Sequence, residues 1–137
     1  MSSQFIQIPN TKLNQIEYFN LDQIGYIYSD NKRSVIVTQS RCHCYRLEIE
    51  ISTLINIIEN QCKQKSPFIK LPTSDDIPNN ENYLDEYFNI DHIIYISSFG
   101  ENQSFISMST GRICYINMKT NDLLNMIDTK KILKESQ

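Results

Sequence analysis

Cys42, His43 and Cys44 form the densest group of metal-ligating and nucleophilic side chains in this sequence. Successive side chains of a β-strand point to opposite faces, so His43 turns away from the two cysteines and the three cannot hold one ion together. The same geometry keeps a cysteine nucleophile apart from a neighbouring histidine base. Zinc sites also need a second ligand pair, and the remaining candidates are Cys62, Cys114 and His92. We therefore expect ordinary strand cysteines and no bound metal.

Motifs for catalysis are missing elsewhere in the chain as well. The sequence contains no G-x-S-x-G, no H-E-x-x-H and no glycine-rich phosphate loop. Asp22 and Asp91 recur in equivalent surroundings and could be taken for a pair of acids. Each follows an asparagine by two residues, a spacing typical of hydrogen bonds between a side chain and the backbone at a bend. We expect no catalytic residue, no cofactor and no enzymatic activity.

Aromatic and basic side chains indicate a different chemistry. Proteins that bind single-stranded nucleic acid place aromatic rings and cations on the open face of a sheet, where bases stack. The candidates here are Tyr26, Tyr28 and Tyr95 on strands, with Arg33, Arg41, Arg46 and Arg112 in or near hairpins. The net charge of −3 and the even scatter of lysine and arginine argue against the basic footprint that duplex DNA needs.

The elements that carry these residues occur twice. EYFNLDQIGYIYS (residues 17–29) returns as EYFNIDHIIYISS (residues 86–98), with nine of the thirteen positions identical at an offset of 69 residues. Upstream, FIQIP matches FIKLP at an offset of 63, so the second copy carries six extra residues in a polar loop. We interpret the chain as one pseudo-symmetric domain, residues 1–137, built from repeat 1 (4–65) and repeat 2 (67–135).

The alternation of apolar and polar residues fixes the register of the repeats. In CYRLEIEI the apolar residues recur at every second position, which predicts a strand with one buried face. An offset of 69 places Leu47 and Ile49 over Ile116 and Met118. A register shifted by one residue would align Cys44 with Cys114 but would send every side chain to the opposite face.

Each repeat reads as four strands followed by one helix. Hairpin turns are predicted at Ser40-Arg41 and Thr110-Gly111, and helices from Ser52 and Asn121, both good N-cap types. The predicted fold class is α+β: a tandem duplication of a β-β-β-β-α unit, with antiparallel sheets, one helix per repeat and pseudo-twofold packing. The halves would join edge to edge or by exchanging helices.

Three stretches of the second repeat carry a resemblance to known proteins. NIDHIIYI (residues 89–96), SFISMSTGRICYI (104–116) and NDLLNMI (121–127) resemble the FlbD-like small proteins of flagellar operons. That resemblance implies a small β-plus-helix module without catalytic residues. In architecture alone, the duplicated unit is also similar to the PUR-repeat and Whirly-type single-strand binders.

These observations favour two functions. The first is a non-catalytic interaction or assembly module in the cytoplasm. Such a module would associate with itself through sheet edges that the repeats leave exposed, or it would bind an unknown protein partner. The alternative is a single-stranded nucleic-acid binder that uses a sheet face with tyrosine and arginine. The opening MSSQFIQIPN has neither a charged n-region nor an apolar h-region, and no apolar run approaches the ~20 residues of a membrane span. Secretion and membrane insertion are therefore not expected.

Overall fold

The computed structural model describes residues 4–38, 44–63, 65–74 and 86–135. The first half contains β1 (Phe5–Asn10), β2 (Gln15–Asn20), β3 (Ile24–Asp30), β4 (Arg33–Thr38), β5 (Cys44–Leu47) and α1 (Ile51–Gln61). The second contains β6 (Phe68–Lys70), β7 (Thr73–Ser74), β8 (Glu86–Asn89), β9 (Ile93–Phe99), β10 (Gln103–Met108), β11 (Ile113–Ile116) and α2 (Thr120–Glu135). The fold is α+β, and every strand pair among the described residues is antiparallel.

The strands form three sheets, and the central one draws on both halves of the chain. The central sheet has the order β5-β4-β3-β8-β6, so that β8 and β6 of the second half extend the hairpin sheet of the first. The halves therefore meet edge to edge through β3 and β8. The other two sheets are a two-stranded sheet, β1-β2, and a four-stranded sheet with the order β7-β11-β10-β9.

Two hydrophobic cores lie on opposite faces of the central sheet. Ile27 on β3 is fully buried in the first core, which also takes in β1, β2 and α1. Its neighbour Tyr26 packs on the other face, in the second core, with Phe88, the four-stranded sheet and α2. Adjacent residues of one strand thus serve different cores, because side chains alternate across a sheet. The result is a stack of three layers with the central sheet in the middle.

The bend predicted from the recurring asparagine and aspartate is present in both halves. Asn20 and Asn89 each precede one turn of 3₁₀ helix, Leu21–Gln23 and Ile90–His92. The asparagine side-chain oxygen accepts a hydrogen bond from the amide of the residue two positions on, at 3.1 Å in the first half and 2.9 Å in the second. The prediction of a backbone-fastening role is confirmed. The asparagine is the acceptor, and the aspartate contributes its amide.

Several predicted boundaries are correct and others are displaced. Leu47 and Ile116 are buried, as the register at offset 69 requires. Gly111 has a φ of 93° in the predicted second hairpin turn, whereas Ser40-Arg41 lies outside the described residues. The helices begin slightly earlier than predicted: α1 at Ile51, with no side-chain hydrogen bond at its cap, and α2 at Thr120. Packing of the apolar stripe, rather than a capping side chain, sets the start of α1.

Two positions at which the halves differ lie in the contact between them. His92, which replaces the Gln23 of the first half, is buried, and its Nε2 lies 2.6 Å from the backbone oxygen of Asp22. Gly25, which corresponds to Ile94, has no Cβ; an added Cβ would stand 2.1 Å from Cγ2 of Thr110. The sequence difference at these positions therefore reflects how the two halves pack together.

Candidate nucleic-acid interface

Strand β3 brings two of the predicted tyrosines together. Tyr26 and Tyr28 alternate with the buried Ile27 and therefore share the opposite face of the strand. Their ring centroids lie 6.0 Å apart with an interplanar angle of 24°, a stacked arrangement. Phe88 of β8 continues the row, 6.1 Å from Tyr26 and at 22° to it. The second half thus supports the tyrosine pair from one side with a fully buried ring.

Arg112 lies over Tyr26, the middle ring of this row. Its guanidinium carbon lies 5.0 Å from the centre of the Tyr26 ring, within range of a cation–π contact. Its Nη2 donates a hydrogen bond of 2.7 Å to Oε1 of Glu86, whose side chain is 4 % exposed. A charge-assisted hydrogen bond to a buried carboxylate is strong and well oriented. Arg112 therefore holds the tyrosine row in place more than it offers a charge to solvent.

Two further arginines lie near the Tyr28 end of the row and form only long ion pairs. Arg46 of β5 lies 3.6 Å from Asp30, and Arg33 lies 4.0 Å from Asp30 and 3.8 Å from Glu48. These distances exceed those of hydrogen bonds, and the two arginine side chains are 53 % and 38 % exposed. Exposed ion pairs of this kind contribute little stability. Both guanidinium groups can therefore turn their N–H donors towards a ligand.

We call this surface the Tyr–Arg face: Tyr26, Tyr28, Arg33, Arg46 and Arg112. Its phenols are neutral at physiological pH. Burial raises the pKa of Tyr26 above 10.0, and Arg112 opposes the rise. Burial likewise raises the pKa of Tyr28, with Arg46 opposing. Each ring therefore keeps its O–H donor and its uncharged stacking surface.

Tyr95 does not join the Tyr–Arg face, and Arg41 lies outside the described residues. Tyr95 belongs to a second aromatic row on the outer face of the four-stranded sheet. Successive ring centroids in this row are 6.3, 5.4 and 4.7 Å apart, and its members are Tyr95, Phe105, Tyr115 and Phe99. Sequence reasoning missed Phe99 and Phe105. The predicted hairpin turn at Thr110-Gly111 offers a sequence signal for Phe105, because it brings Phe105 directly opposite Tyr115 in the pairing of β10 with β11.

The described residues include candidate metal ligands and cysteines, whose positions are as follows. Within residues 4–38, 44–63, 65–74 and 86–135, no group of three or more histidine, cysteine, aspartate or glutamate side chains is placed to hold a metal ion. Cys42 and His43 lie outside those ranges. Burial raises the pKa of the Cys114 thiol to about 11, which keeps it protonated and unreactive. The described helices are too short or too polar to cross a membrane.

Comparison with known proteins gives a match in structure but none in sequence. No protein-family model and no curated protein matches the chain. A LytTr DNA-binding domain from Bacillus cereus is similar in structure, with a TM-score of 0.57 and 11 % sequence identity. The match covers 93 % of this chain and 97 % of that domain. The likeness shows a common fold. The resemblances to FlbD-like, PUR-repeat and Whirly-type proteins remain predictions.

Proposed function

We propose that this protein binds single-stranded nucleic acid through the Tyr–Arg face. The observation that carries the proposal is the stacked pair of Tyr26 and Tyr28 beside two arginines whose ion pairs are too long to be hydrogen bonds. Bases can stack on such rings whatever their sequence, and guanidinium groups can reach the phosphates beside them.

The expected energetics are modest and salt-dependent. Stacking contributes on the order of 1–3 kcal/mol per base. A phosphate that displaces a carboxylate from Arg33 or Arg46 loses little, because exposed ion pairs are worth about 0–1 kcal/mol. Two phosphate contacts to a single strand give a slope of log K against log salt of about −1.4. Binding should therefore be weak at physiological salt and clearly stronger in dilute buffer.

The structural comparison favours this function over the assembly module that the sequence first suggests. The similar domain is described as DNA-binding, and none of the comparisons points to a protein-interaction module. A single strand suits this chain better than a duplex. The net charge is −3, and Asp30, Glu48 and Glu86 lie among the arginines, whereas a duplex demands many phosphate contacts.

The test is a salt titration of fluorescence anisotropy with labelled single-stranded DNA, single-stranded RNA and duplex DNA. The double substitution Arg33→Ala with Arg46→Ala should weaken single-strand binding about tenfold and flatten the salt slope by about 0.7 per lost phosphate contact. The matched control is Lys12→Ala with Lys119→Ala, which removes the same charge from exposed positions off this face.

Tyr28→Ala tests the stacking contribution and should weaken binding without changing the salt slope. Three results would overturn the proposal: no salt-dependent binding to any single strand, equal losses in the arginine and lysine double variants, or tighter binding to duplex than to single strands.

A further inference from the structure

We infer that this chain associates head to tail with further copies of itself, by pairing strand β2 of one copy with strand β9 of the next. The occupant of each open strand edge is thus a second copy of this chain. The inference goes beyond the proposed nucleic-acid binding and does not depend on it, since it concerns the outer sheets and not the Tyr–Arg face.

The central sheet provides the template for this contact. There β8 pairs with β3 in the register Tyr26 with Phe88, Ile27 with Tyr87, and Tyr28 with Glu86. The offset of 69 residues makes β2 the counterpart of β8, and β9 the counterpart of β3. Since EYFN is identical in β2 and β8, β2 carries the same strand sequence that already pairs within the chain.

The two counterpart strands are open on the matching edges. Among the described residues, β2 pairs only with β1, and β9 pairs only with β10. The far edge of β1 is covered, because the side chain of Gln61 forms hydrogen bonds with both the backbone amide and the backbone carbonyl of Gln7. Beside β2, in contrast, lies an open groove of about 480 Å³, lined by Gln15–Asn20 together with Gln23, Thr38 and Tyr45. A strand can enter there.

Exposed apolar side chains cluster on these two strands. Five of them are more than half exposed: Ile16 and Tyr18 on β2, and Ile94, Tyr95 and Phe99 on β9. Two of the corresponding residues at the internal junction are covered. Tyr87, the counterpart of Tyr18, packs against the first core, and Tyr26, the counterpart of Tyr95, stacks on Phe88. Unpaired edges with apolar side chains are templates for strand addition, and only a second copy supplies the matching edge.

The template also fixes the register between copies. It places Glu17 opposite Ser97, Tyr18 opposite Ile96, and Phe19 opposite Tyr95. A side-chain bond follows as well. At the internal junction, Asn89 Nδ2 donates a hydrogen bond of 2.9 Å to the carbonyl oxygen of Ile24. By analogy, Asn20 Nδ2 should donate a hydrogen bond to the carbonyl oxygen of Ile93 in the neighbouring copy.

A copy cannot make this contact with itself. Its own β2 and β9 belong to outer layers on opposite sides of the central sheet. Pairing between copies creates a sheet with the order β7-β11-β10-β9-β2-β1, in which the five strands β11-β10-β9-β2-β1 repeat the internal order β5-β4-β3-β8-β6. The contact joins two different surfaces, so it closes into a ring or extends as a filament according to the rotation between copies.

Sedimentation velocity of the whole chain, from low micromolar to near-millimolar concentration, gives the first test. The mean mass of the wild type should rise with concentration. Tyr18→Lys should lower the association constant at least about tenfold, and Ser97→Glu should do the same because it places two carboxylates opposite each other. Adding Glu17→Lys to Ser97→Glu should restore association.

The matched control for Tyr18→Lys is Ile113→Lys, since Ile113 is 60 % exposed on β11, which β10 separates from the open edge of β9. It should associate like the wild type. Circular dichroism spectra and melting temperatures establish that each variant is folded. A wild type that remains monomeric across the whole range overturns the inference, as does equal weakening by Tyr18→Lys and Ile113→Lys.

Disulfide trapping tests the register separately. In a background with Cys42, Cys44 and Cys62 replaced by serine, a Glu17→Cys chain is mixed with a Ser97→Cys chain and oxidised. Opposed residues have Cβ atoms about 4.5–5.5 Å apart, against about 7–8 Å for diagonal neighbours. The mixture should therefore form covalent dimers faster than Gln15→Cys mixed with Ser97→Cys. Equal rates for the two mixtures, or no dimer in either, would refute the assigned pairing.

Discussion

Gly25 lies on β3 where the second half of the chain packs against it, and Gly25→Ala should destabilise the fold for one identifiable reason. The added Cβ would stand 2.1 Å from Cγ2 of Thr110 and 3.5 Å from the carbonyl oxygen of Val37. Only the first contact is a clash, and Thr110 is 5 % exposed, so its methyl group has little room to move. Overpacking of this kind costs about 1–3 kcal/mol, and the reduced entropy of the unfolded chain returns about 0.4–1 kcal/mol. The net expected loss is about 1–2 kcal/mol.

Thr110→Ser is the matched second substitution. It removes the clashing methyl group but keeps the hydroxyl, which accepts a hydrogen bond from the Arg112 amide at 3.3 Å. Alone it should cost about 0.8 kcal/mol, the value of one buried methylene-sized group. Combined with Gly25→Ala it should restore part of the lost stability, with a coupling energy of about 1–2 kcal/mol. The assay is urea unfolding followed by circular dichroism for the four proteins of the cycle. Additive effects, or a Gly25→Ala variant as stable as the wild type, would refute the reasoning.

Three further predictions concern the contact between the halves and the second core. Asn89→Ala should cost about 1–2 kcal/mol more than Asn20→Ala in urea unfolding, because Asn89 also donates a buried hydrogen bond to Ile24; equal costs would contradict this. His92→Ala should lower the free energy of unfolding by about 1–3 kcal/mol by leaving buried polar groups without a partner, and His92→Gln should lower it less, since glutamine stands at the equivalent position of the first half. The pKa of Cys114 is raised from 9.0 to about 11 in the folded state. The contribution of this thiol to the free energy of unfolding is therefore fully present below pH 9.0 and is lost as the pH rises towards 11. The melting temperature of the wild type should therefore fall between pH 9 and pH 11, and it should fall less steeply in Cys114→Ala.

Local pattern predicts both helices and most of the strands, but not β7, which lies in a stretch predicted to be a polar loop. Period-two alternation identified Leu47 and Ile116 as core residues, and the recurring Asn-x-Asp spacing identified the bends. Both signals arise within one strand or one turn, where the chemistry of neighbouring residues decides the outcome. The start of α1 was displaced by one residue because tertiary packing overrides the preference of Ser52 for an N-cap.

Pairing between distant strands could not be predicted in the same way. Alternation indicates which face of β3 is buried but not which strand lies against its edge. The sequence therefore leaves two arrangements open, edge-to-edge joining of the halves and exchange of helices, and it does not identify β8 as the partner of β3. The candidate site depended on that choice. Phe88 and Arg112 reach Tyr26 only because the second half of the chain completes the central sheet. Residue type alone groups Tyr95 with Tyr26, whereas the strand of Tyr95 belongs to another sheet.

The shared central sheet also has a consequence for how the chain is made. Strand β3 leaves the ribosome well before β8, its partner on one side, has been synthesised. Until then the nascent first half carries an unfinished sheet, with the Tyr26 ring uncovered and one row of backbone groups without a strand beside it. A chain that stops after residue 65 retains that state permanently and should depend on chaperones or aggregate. The first core is built almost entirely from the first half and can assemble early, whereas the central sheet is completed only when β8 and β6 have been synthesised.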